Sequence, residues 1–188
     1  EKTVLVTATK GQCYSHHIFS SHESSIDRDL EAIDVALASA AAPTYFPPVR
    51  PKGRENTFID GGLWANSPAL VAVLYAKIVL GYDFNAIRVL SVDTGDYPRR
   101  QKTPVKDLRK YSIKTVTTML DMFHRTQNSF IQYYTKELIG SEQFKRVSFN
   151  TDNFLSLDDA ENCISYLPGE AEKQFEERRE EIIEFLTK

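Results

Sequence analysis

The chain has 188 residues, of which 41% are hydrophobic and 26% charged, as in a folded domain with a substantial core. Its net charge of −3 lacks the basic excess that nucleic-acid binding favours, so no nucleic-acid partner is predicted. No apolar run approaches the ~20 residues that span a bilayer, and the first residues read as a strand and not as a secretory leader. Cys13 and Cys163 make no disulfide framework, so free thiols and a cytoplasmic location are predicted.

The first half of the chain alternates predicted strands and helices. An apolar, β-branched run predicts a strand over residues 3–9, and the loosely alternating residues 14–20 are its predicted hairpin partner. Helical spacing predicts a helix over 30–42, which Pro43 ends. There follow a short strand, a strongly apolar helix and another strand, over 57–59, 68–80 and 87–93. This alternation is the pattern of a parallel or mixed α/β sheet.

The second half is more polar and less regular. Residues 99–104 read as a loop, and the apolar spacing over 105–138 predicts one long helix or two shorter ones. A last strand is predicted over 144–149. Residues 152–168 mix loop and short helix, and residues 169–188 form a predicted amphipathic helix with a charged face. No repeat, low-complexity tract or linker interrupts the chain, so a single domain over 1–188 is predicted.

The segment from Phe58 to Ala69 carries the clearest chemical signal. Two apolar residues lead into Asp60, so a carboxylate is expected at the carboxyl end of a strand, where α/β sheets place reactive groups. Gly61 and Gly62 follow, and glycine can take a positive φ or let another backbone come close. Both glycines are predicted to be required by their backbone conformation and not by contact. Ser67 is the predicted N-cap of the next helix, with Pro68 in its first turn.

A second motif lies about a dozen residues upstream, from Ser39 to Pro47. It reads Ser-Ala-Ala-x-Pro-x-x-Phe-Pro, and the downstream segment reads Asp-Gly-Gly-x-x-x-Asn-x-Pro. Together they resemble the C-terminal half of the patatin-like phospholipase domain. The resemblance implies a three-layer α/β/α sandwich with a mostly parallel central sheet, of which this chain is the C-terminal portion. It also implies a lipid acyl hydrolase of the phospholipase A type.

The resemblance assigns Asp60 a role. In patatin-like enzymes a serine in Gly-x-Ser-x-Gly attacks the ester, an earlier glycine-rich loop binds the oxyanion, and the aspartate of Asp-Gly-Gly is the base, with no histidine between. Asp60 is then the catalytic carboxylate, and Gly61 and Gly62 form the active-site turn. The chain has neither the serine motif nor the glycine-rich loop. The N-terminal half of the same domain is therefore an expected partner, and the chain alone is expected to be inactive.

The substrate groove is assigned from the residues that flank these motifs. Leu63, Trp64, Tyr45 and Phe46 are predicted to line it and to make transient contact with a membrane surface. A phospholipid or other lipid is the predicted substrate. The alternative is a non-catalytic α/β module that binds a lipid or a protein, with Asp60 as a relic.

The sequence gives weaker signals for three other kinds of site: a metal site, an aspartic-protease turn and a phosphate-binding loop. The four histidines lack metal-ligand spacing, so neither a metal nor another cofactor is predicted. Val92-Asp93-Thr94-Gly95 resembles the active-site turn of aspartic proteases, which needs a second such carboxylate. The Asp60 and Asp93 turns also resemble the phosphate-binding loops of actin-like ATPases, without a Walker motif beside them. The preferred interpretation gives Asp93 no chemistry.

Overall fold

The computed structural model describes residues 2–95, 113–151, 155 and 159–187. The chain divides into two compact units, one comprising Glu1–Ile87 with Leu108–Gly140 and the other Arg88–Asp107 with Ser141–Lys188. Each is described by itself below. The prediction of a single domain over 1–188 stays a prediction.

The first unit is built on a three-stranded sheet. Its strands are β1 (Leu5–Lys10), β2 (Ser15–Ser20) and β3 (Phe58–Asp60), in the order β2-β1-β3. Both pairings are antiparallel. The link from β1 to β2 is too short for a crossover connection, so the two strands can pair only as an antiparallel hairpin. The predicted hairpin is confirmed. The chain is mixed α/β as expected, but this sheet is antiparallel, and the mostly parallel central sheet in three layers is not confirmed.

Helix α1 (Ala32–Ser39) covers one face of this sheet. Strand alternation puts Ala8, Phe19 and Phe58 on that face, where they form a buried cluster with Ala38 of α1. The helix is shorter than the predicted 30–42. It ends at Ala40, whose φ of −94° and ψ of 2° leave the helical range before Pro43 is reached.

The described residues of the first unit form three further helices: α2 (Gly62–Ala65), α3 (Ala69–Ile78) and α4 (Ile113–Ile139). A single 3₁₀ turn over Phe84–Ala86 follows α3. Ile131, Thr135 and Ile139 of α4 are buried; they recur at every fourth position, which places them on one face of the helix. From residue 113 onward α4 is one continuous helix, and the earlier part of the predicted segment, 105–112, lies outside the described residues. So does the predicted loop over 99–104.

The second unit contains a parallel strand pair and a long helix. Strand β4 (Val89–Val92) pairs in parallel with β5 (Phe144–Val147), which confirms both predicted strands, and a 3₁₀ turn over Ser141–Gln143 precedes β5. Helix α5 runs over Ala160–Thr187 and passes through Pro168.

The predicted start of the last helix, at residue 169, is therefore wrong. Proline inside a helix removes one hydrogen bond to the carbonyl four residues earlier. That residue is Ile164, which is 73% exposed, so the lost bond lies on the water-facing side of the helix. The helix consequently continues through Pro168 and does not begin after it.

Candidate active site

Asp60 is the last residue of β3, and its position is fixed by hydrogen bonds on three sides. Its backbone N–H donates to the carbonyl of Ala41 at 3.0 Å. Its own carbonyl accepts a hydrogen bond from the Thr9 hydroxyl at 2.9 Å. The carboxylate oxygen Oδ1 accepts the N–H of Gly62 at 2.6 Å, a short bond of the kind that an ionised acceptor makes. One carboxylate oxygen is thus tied to the turn that follows the strand.

Gly61 is required by close approach and not by its backbone angles. Its φ of −70° and ψ of −22° are open to any residue, so the prediction that it is required by conformation and not by contact is wrong. A Cβ on Gly61 would lie 2.2 Å from the carbonyl oxygen of Thr7 on the neighbouring strand. No side chain fits there, because the backbone of β1 occupies the space.

Gly62 has a different constraint. It opens α2, and its φ likewise lies outside the left-handed range. A Cβ at this position would lie 3.0 Å from Oδ1 of Asp60 and 3.4 Å from Oδ1 of Asn66. The missing side chain therefore leaves room for the carboxylate itself.

The structure brings the upstream motif to the same place. The carbonyls of Ser39 and Ala41, at the end of α1, accept the N–H groups of Gly61 at 3.3 Å and Asp60 at 3.0 Å. Immediately beyond, Tyr45 and Phe46 are 45% and 61% exposed. The two sequence motifs are thus joined by backbone hydrogen bonds, with two exposed aromatic rings on the adjoining turn.

Leu63 and Trp64 follow Asp60 on α2, and both are half-buried. The Trp64 indole N–H donates to the carbonyl of Ala8 at 2.9 Å, and its ring makes an edge contact with the ring of His16 at 5.3 Å. The indole N–H is therefore bonded to the sheet and is not left at a boundary between membrane and water. Tyr45 and Phe46 are the more exposed members of the predicted groove.

The end of the motif departs from prediction in one detail. Pro68, and not Ser67, occupies the N-cap of α3, and no side chain caps the helix. Asn66 reaches α4 instead. Its backbone N–H donates to Oε1 of Gln127 at 3.2 Å, and its amide donates to Oδ1 of Asn128 at 3.4 Å.

The comparisons with known proteins agree with the motifs. Residues 12–73, which include both, match the family model described as Patatin-like phospholipase. Patatin-like protein 4 of Arabidopsis thaliana is 28% identical over 166 residues, which cover 75% of this chain. The cGAMP-activated phospholipase of Pseudomonas aeruginosa is 30% identical over 121 residues, or 64% of this chain. A cGAMP-activated phospholipase of Escherichia coli is 38% identical over 79 residues, or 39% of this chain.

The resemblance to the patatin-like phospholipases is confirmed. The chain nevertheless spans only part of these relatives: the aligned residues cover 40% of the Arabidopsis protein, 35% of the Pseudomonas protein and 22% of the Escherichia protein. Patatin-like proteins thus extend well beyond the stretch that this chain represents.

A buried ionic cluster near the site was missed by sequence reasoning. Asp27 is 7% exposed; its Oδ2 lies 2.9 Å from Nε2 of His17, and its Oδ1 accepts from Nη2 of Arg54 at 3.0 Å. Burial lowers the pKa of His17, while the Asp27 carboxylate acts in the opposite direction. In the sequence Asp27 sits in a polar stretch that resembles a solvated loop, so no local signal announces the cluster.

Asp93, in the second unit, has a structural partner. Its Oδ2 accepts a hydrogen bond from Nη2 of Arg146 at 2.6 Å, and its Oδ1 accepts the N–H of Thr94 at 2.7 Å. One carboxylate oxygen is therefore bonded within the turn and the other to Arg146 on β5. Asp93 thus forms an ion pair between the end of β4 and β5.

Within the described ranges, no group of three or more His, Cys, Asp or Glu side chains is arranged to hold a metal ion. Among those same residues, no helix combines the length and apolar character needed to cross a membrane.

Proposed function

We propose that the intact protein hydrolyses acyl ester bonds of lipids, most directly of phospholipids, and that Asp60 is its catalytic base. The main support is the carboxylate at the end of β3, with one oxygen on the Gly62 N–H inside the stretch that matches the patatin-like phospholipase family. A base that removes a proton from a serine hydroxyl needs a fixed carboxylate with a free oxygen lone pair.

The nucleophile and the oxyanion donors come from elsewhere in the intact protein. No Gly-x-Ser-x-Gly occurs in the chain, and acyl transfer has no route without an activated nucleophile and donors for the developing charge. We propose that a preceding half of the same domain supplies both. The intact domain then forms the three-layer α/β/α sandwich with a mostly parallel sheet.

Lipid contact is assigned to the exposed rings beside the site. Tyr45 and Phe46 lie on the turn that adjoins Ala41, whose carbonyl accepts the Asp60 N–H, and half-buried Leu63 and Trp64 follow Asp60. Tyr45, an aromatic ring with one polar atom, suits a membrane–water boundary, and Phe46 adds an exposed apolar ring. We propose transient contact with a membrane surface from the cytoplasmic side, consistent with the two free cysteines.

The test uses the full-length protein and phospholipid vesicles. Asp60→Asn keeps the shape of the side chain and the acceptor for the Gly62 N–H but removes the base. Turnover is expected to fall by about 10²–10⁴-fold, the usual contribution of a general base, with an unchanged melting temperature. A folded Asp60→Asn protein with near-native turnover would overturn the assignment.

A second measurement locates the nucleophile. A fluorophosphonate probe is expected to label one serine of the full-length protein outside residues 1–188; a label on a serine within this chain would contradict the proposed arrangement. Failure to hydrolyse any ester, with and without added cGAMP, would favour the non-catalytic module instead. The cGAMP arm is included because relatives of that description match this chain.

A further inference from the structure

The Asp60 turn leads into a helix that is too short to hold its own shape. Gly62, whose N–H is bonded to the Asp60 carboxylate at 2.6 Å, is the first residue of α2. This helix has four residues, whereas isolated helices shorter than ~12–15 residues are marginal in water because the first turn is costly to form. The position of α2 is therefore set by its contacts with other elements.

These contacts hold α2 at three points. At its N-cap, the Gly61 N–H donates to the carbonyl of Ser39 in α1 at 3.3 Å. In its middle, the Trp64 indole N–H donates to the carbonyl of Ala8 in β1 at 2.9 Å. At its C-terminal end, the C-cap residue Asn66 is bonded to α4. The third point is the one that comes from a helix far along the chain.

Two neighbouring residues of α4 accept these bonds. Oε1 of Gln127 accepts the backbone N–H of Asn66 at 3.2 Å, and Oδ1 of Asn128 accepts the side-chain amide of Asn66 at 3.4 Å. Asn66 thus uses both its backbone and its side chain on the same turn of α4. This double attachment fixes the end of α2 more closely than a single hydrogen bond would.

The place of Gln127 on α4 supports a specific role. Ile131, Thr135 and Ile139 are buried, and Gln127 is one step earlier in the same series of every fourth residue, so it lies on the same face of the helix. Gln127 is itself half-buried. A polar group that leaves water is unfavourable unless it is hydrogen-bonded. The bond to Asn66 accounts for a glutamine, and not an apolar residue, at this position.

Asn66 also lies close to the catalytic carboxylate. A Cβ on Gly62 would be 3.0 Å from Oδ1 of Asp60 and 3.4 Å from Oδ1 of Asn66. The Asn66 amide and the Asp60 carboxylate therefore approach the same point beside Gly62. A shift of Asn66 would change the space around the carboxylate and would move the Gly62 N–H through a single helical turn.

We propose that Gln127 and Asn128 are positioning residues for the base. They hold Asn66, Asn66 fixes α2, and the Gly62 N–H of α2 fixes the Asp60 carboxylate for proton transfer. The inference rests on the proposed function, in which Asp60 is that base. A misplacement of about 1 Å at a reacting group can lower a rate by ~10²-fold. A contact on α4 can therefore control turnover although it acts through Asn66 and not on the substrate.

The first experiment compares substitutions on α4 in the full-length protein, with a short-chain ester as substrate. Gln127→Met removes the acceptor at similar size, and Gln127→Glu keeps an acceptor oxygen. Gln132→Met is the matched control, because residue 132 is also half-buried but lies roughly 140° further round the same helix.

We expect Gln127→Met to lower kcat by about tenfold or more with KM unchanged, as for a group needed only in the transition state. Gln127→Glu is expected to keep most of the parent kcat, and Gln132→Met to keep all of it. A kcat for Gln127→Met equal to that of Gln132→Met would overturn the proposal. Equal losses in Gln127→Met and Gln127→Glu, or a change in KM alone, would also overturn it.

The second experiment is a double-mutant cycle on kcat with Asn66→Ala and Asn128→Ala. Two residues that act through one hydrogen bond have non-additive effects. The double variant is therefore expected to lose no more than the more damaging single variant. Losses that multiply in full would show that the two residues act independently and would overturn the link through Asn66.

Amide hydrogen exchange separates this inference from the proposed function, because it needs no turnover. In Gln127→Met, peptides covering residues 60–66 are expected to exchange on the order of tenfold faster than in the parent protein, and peptides from β2 at the parent rate. Unchanged exchange over 60–66 in an active protein would overturn the positioning role and leave the enzymatic function in place. Faster exchange in a protein that hydrolyses no ester would confirm that Gln127 holds α2 and would overturn the enzymatic function.

Discussion

Replacement of Gly61 by alanine tests how the catalytic turn is built. The new Cβ would lie 2.2 Å from the Thr7 carbonyl oxygen and 2.5 Å from the carbonyl carbon, where ordinary contacts begin at 3.4 Å. The obstacle is backbone of the central strand β1, so no rotamer change can relieve it. The backbone at position 61 and the Thr7 carbonyl must move apart by about 1 Å, the difference between 2.2 and 3.4 Å.

The expected cost combines overpacking with weakened strand pairing. Overpacking costs about 1–3 kcal/mol, and each lost hydrogen bond between β1 and β3 adds roughly 0.5–1.5 kcal/mol. Gly61 has an ordinary φ of −70°, so alanine also lowers the entropy of the unfolded chain and returns about 0.4–1 kcal/mol. We expect Gly61→Ala to lower the free energy of unfolding by about 2–3 kcal/mol.

The assay is urea unfolding of the full-length protein, with Gly169→Ala as the matched control. Gly169 lies in α5, where a Cβ would meet nothing within 4 Å, so the same substitution there is expected to stabilise by up to about 1 kcal/mol. A Gly61→Ala protein within about 0.5 kcal/mol of the parent, the usual range for a substitution without a specific clash, would refute the close approach of Gly61 to Thr7.

The remaining expectations concern neighbouring side chains. Gly62→Ala is expected to keep the free energy of unfolding within about 1 kcal/mol of the parent protein but to lower kcat, because its Cβ would lie 3.0 Å from Oδ1 of Asp60. A kcat equal to that of the parent would show that the carboxylate tolerates the contact. Trp64→Phe removes the donor to the Ala8 carbonyl and is expected to cost about 1–3 kcal/mol in chemical unfolding, since that acceptor loses its partner; an unchanged midpoint would contradict this. The pKa of His17 is lowered by burial, so below pH about 6.5 the unfolded chain takes up a proton before the native one does. The free energy of unfolding is then expected to decrease as the pH is lowered below that value, and to decrease less steeply in His17→Gln. Parallel stability–pH profiles of the two proteins would contradict the lowered pKa of His17.

The local elements and the chemical motif could be predicted from the sequence because their determinants are local. A β-branched run, a short polar link and a second alternating run allow only a hairpin, as seen in β1 and β2. Two apolar residues before Asp60 place the carboxylate at a strand end, and the two glycines after it indicate a tight turn. The Pro43 and Asp60 motifs together carried the resemblance to the patatin-like phospholipases.

The tertiary structure decided what depends on contacts between distant residues. The partners in the pairing of β1 with β3 lie some fifty residues apart, and no pattern within either strand fixes its direction. Burial of Asp27 between His17 and Arg54 could not be read from a polar loop, because a buried charge depends on partners from other segments. The reason that position 61 requires glycine likewise depends on a residue distant in the sequence. The sequence context of Gly61 predicted a requirement for backbone conformation and not for contact, whereas φ is ordinary and the carbonyl of Thr7 on the neighbouring strand leaves no room for a side chain.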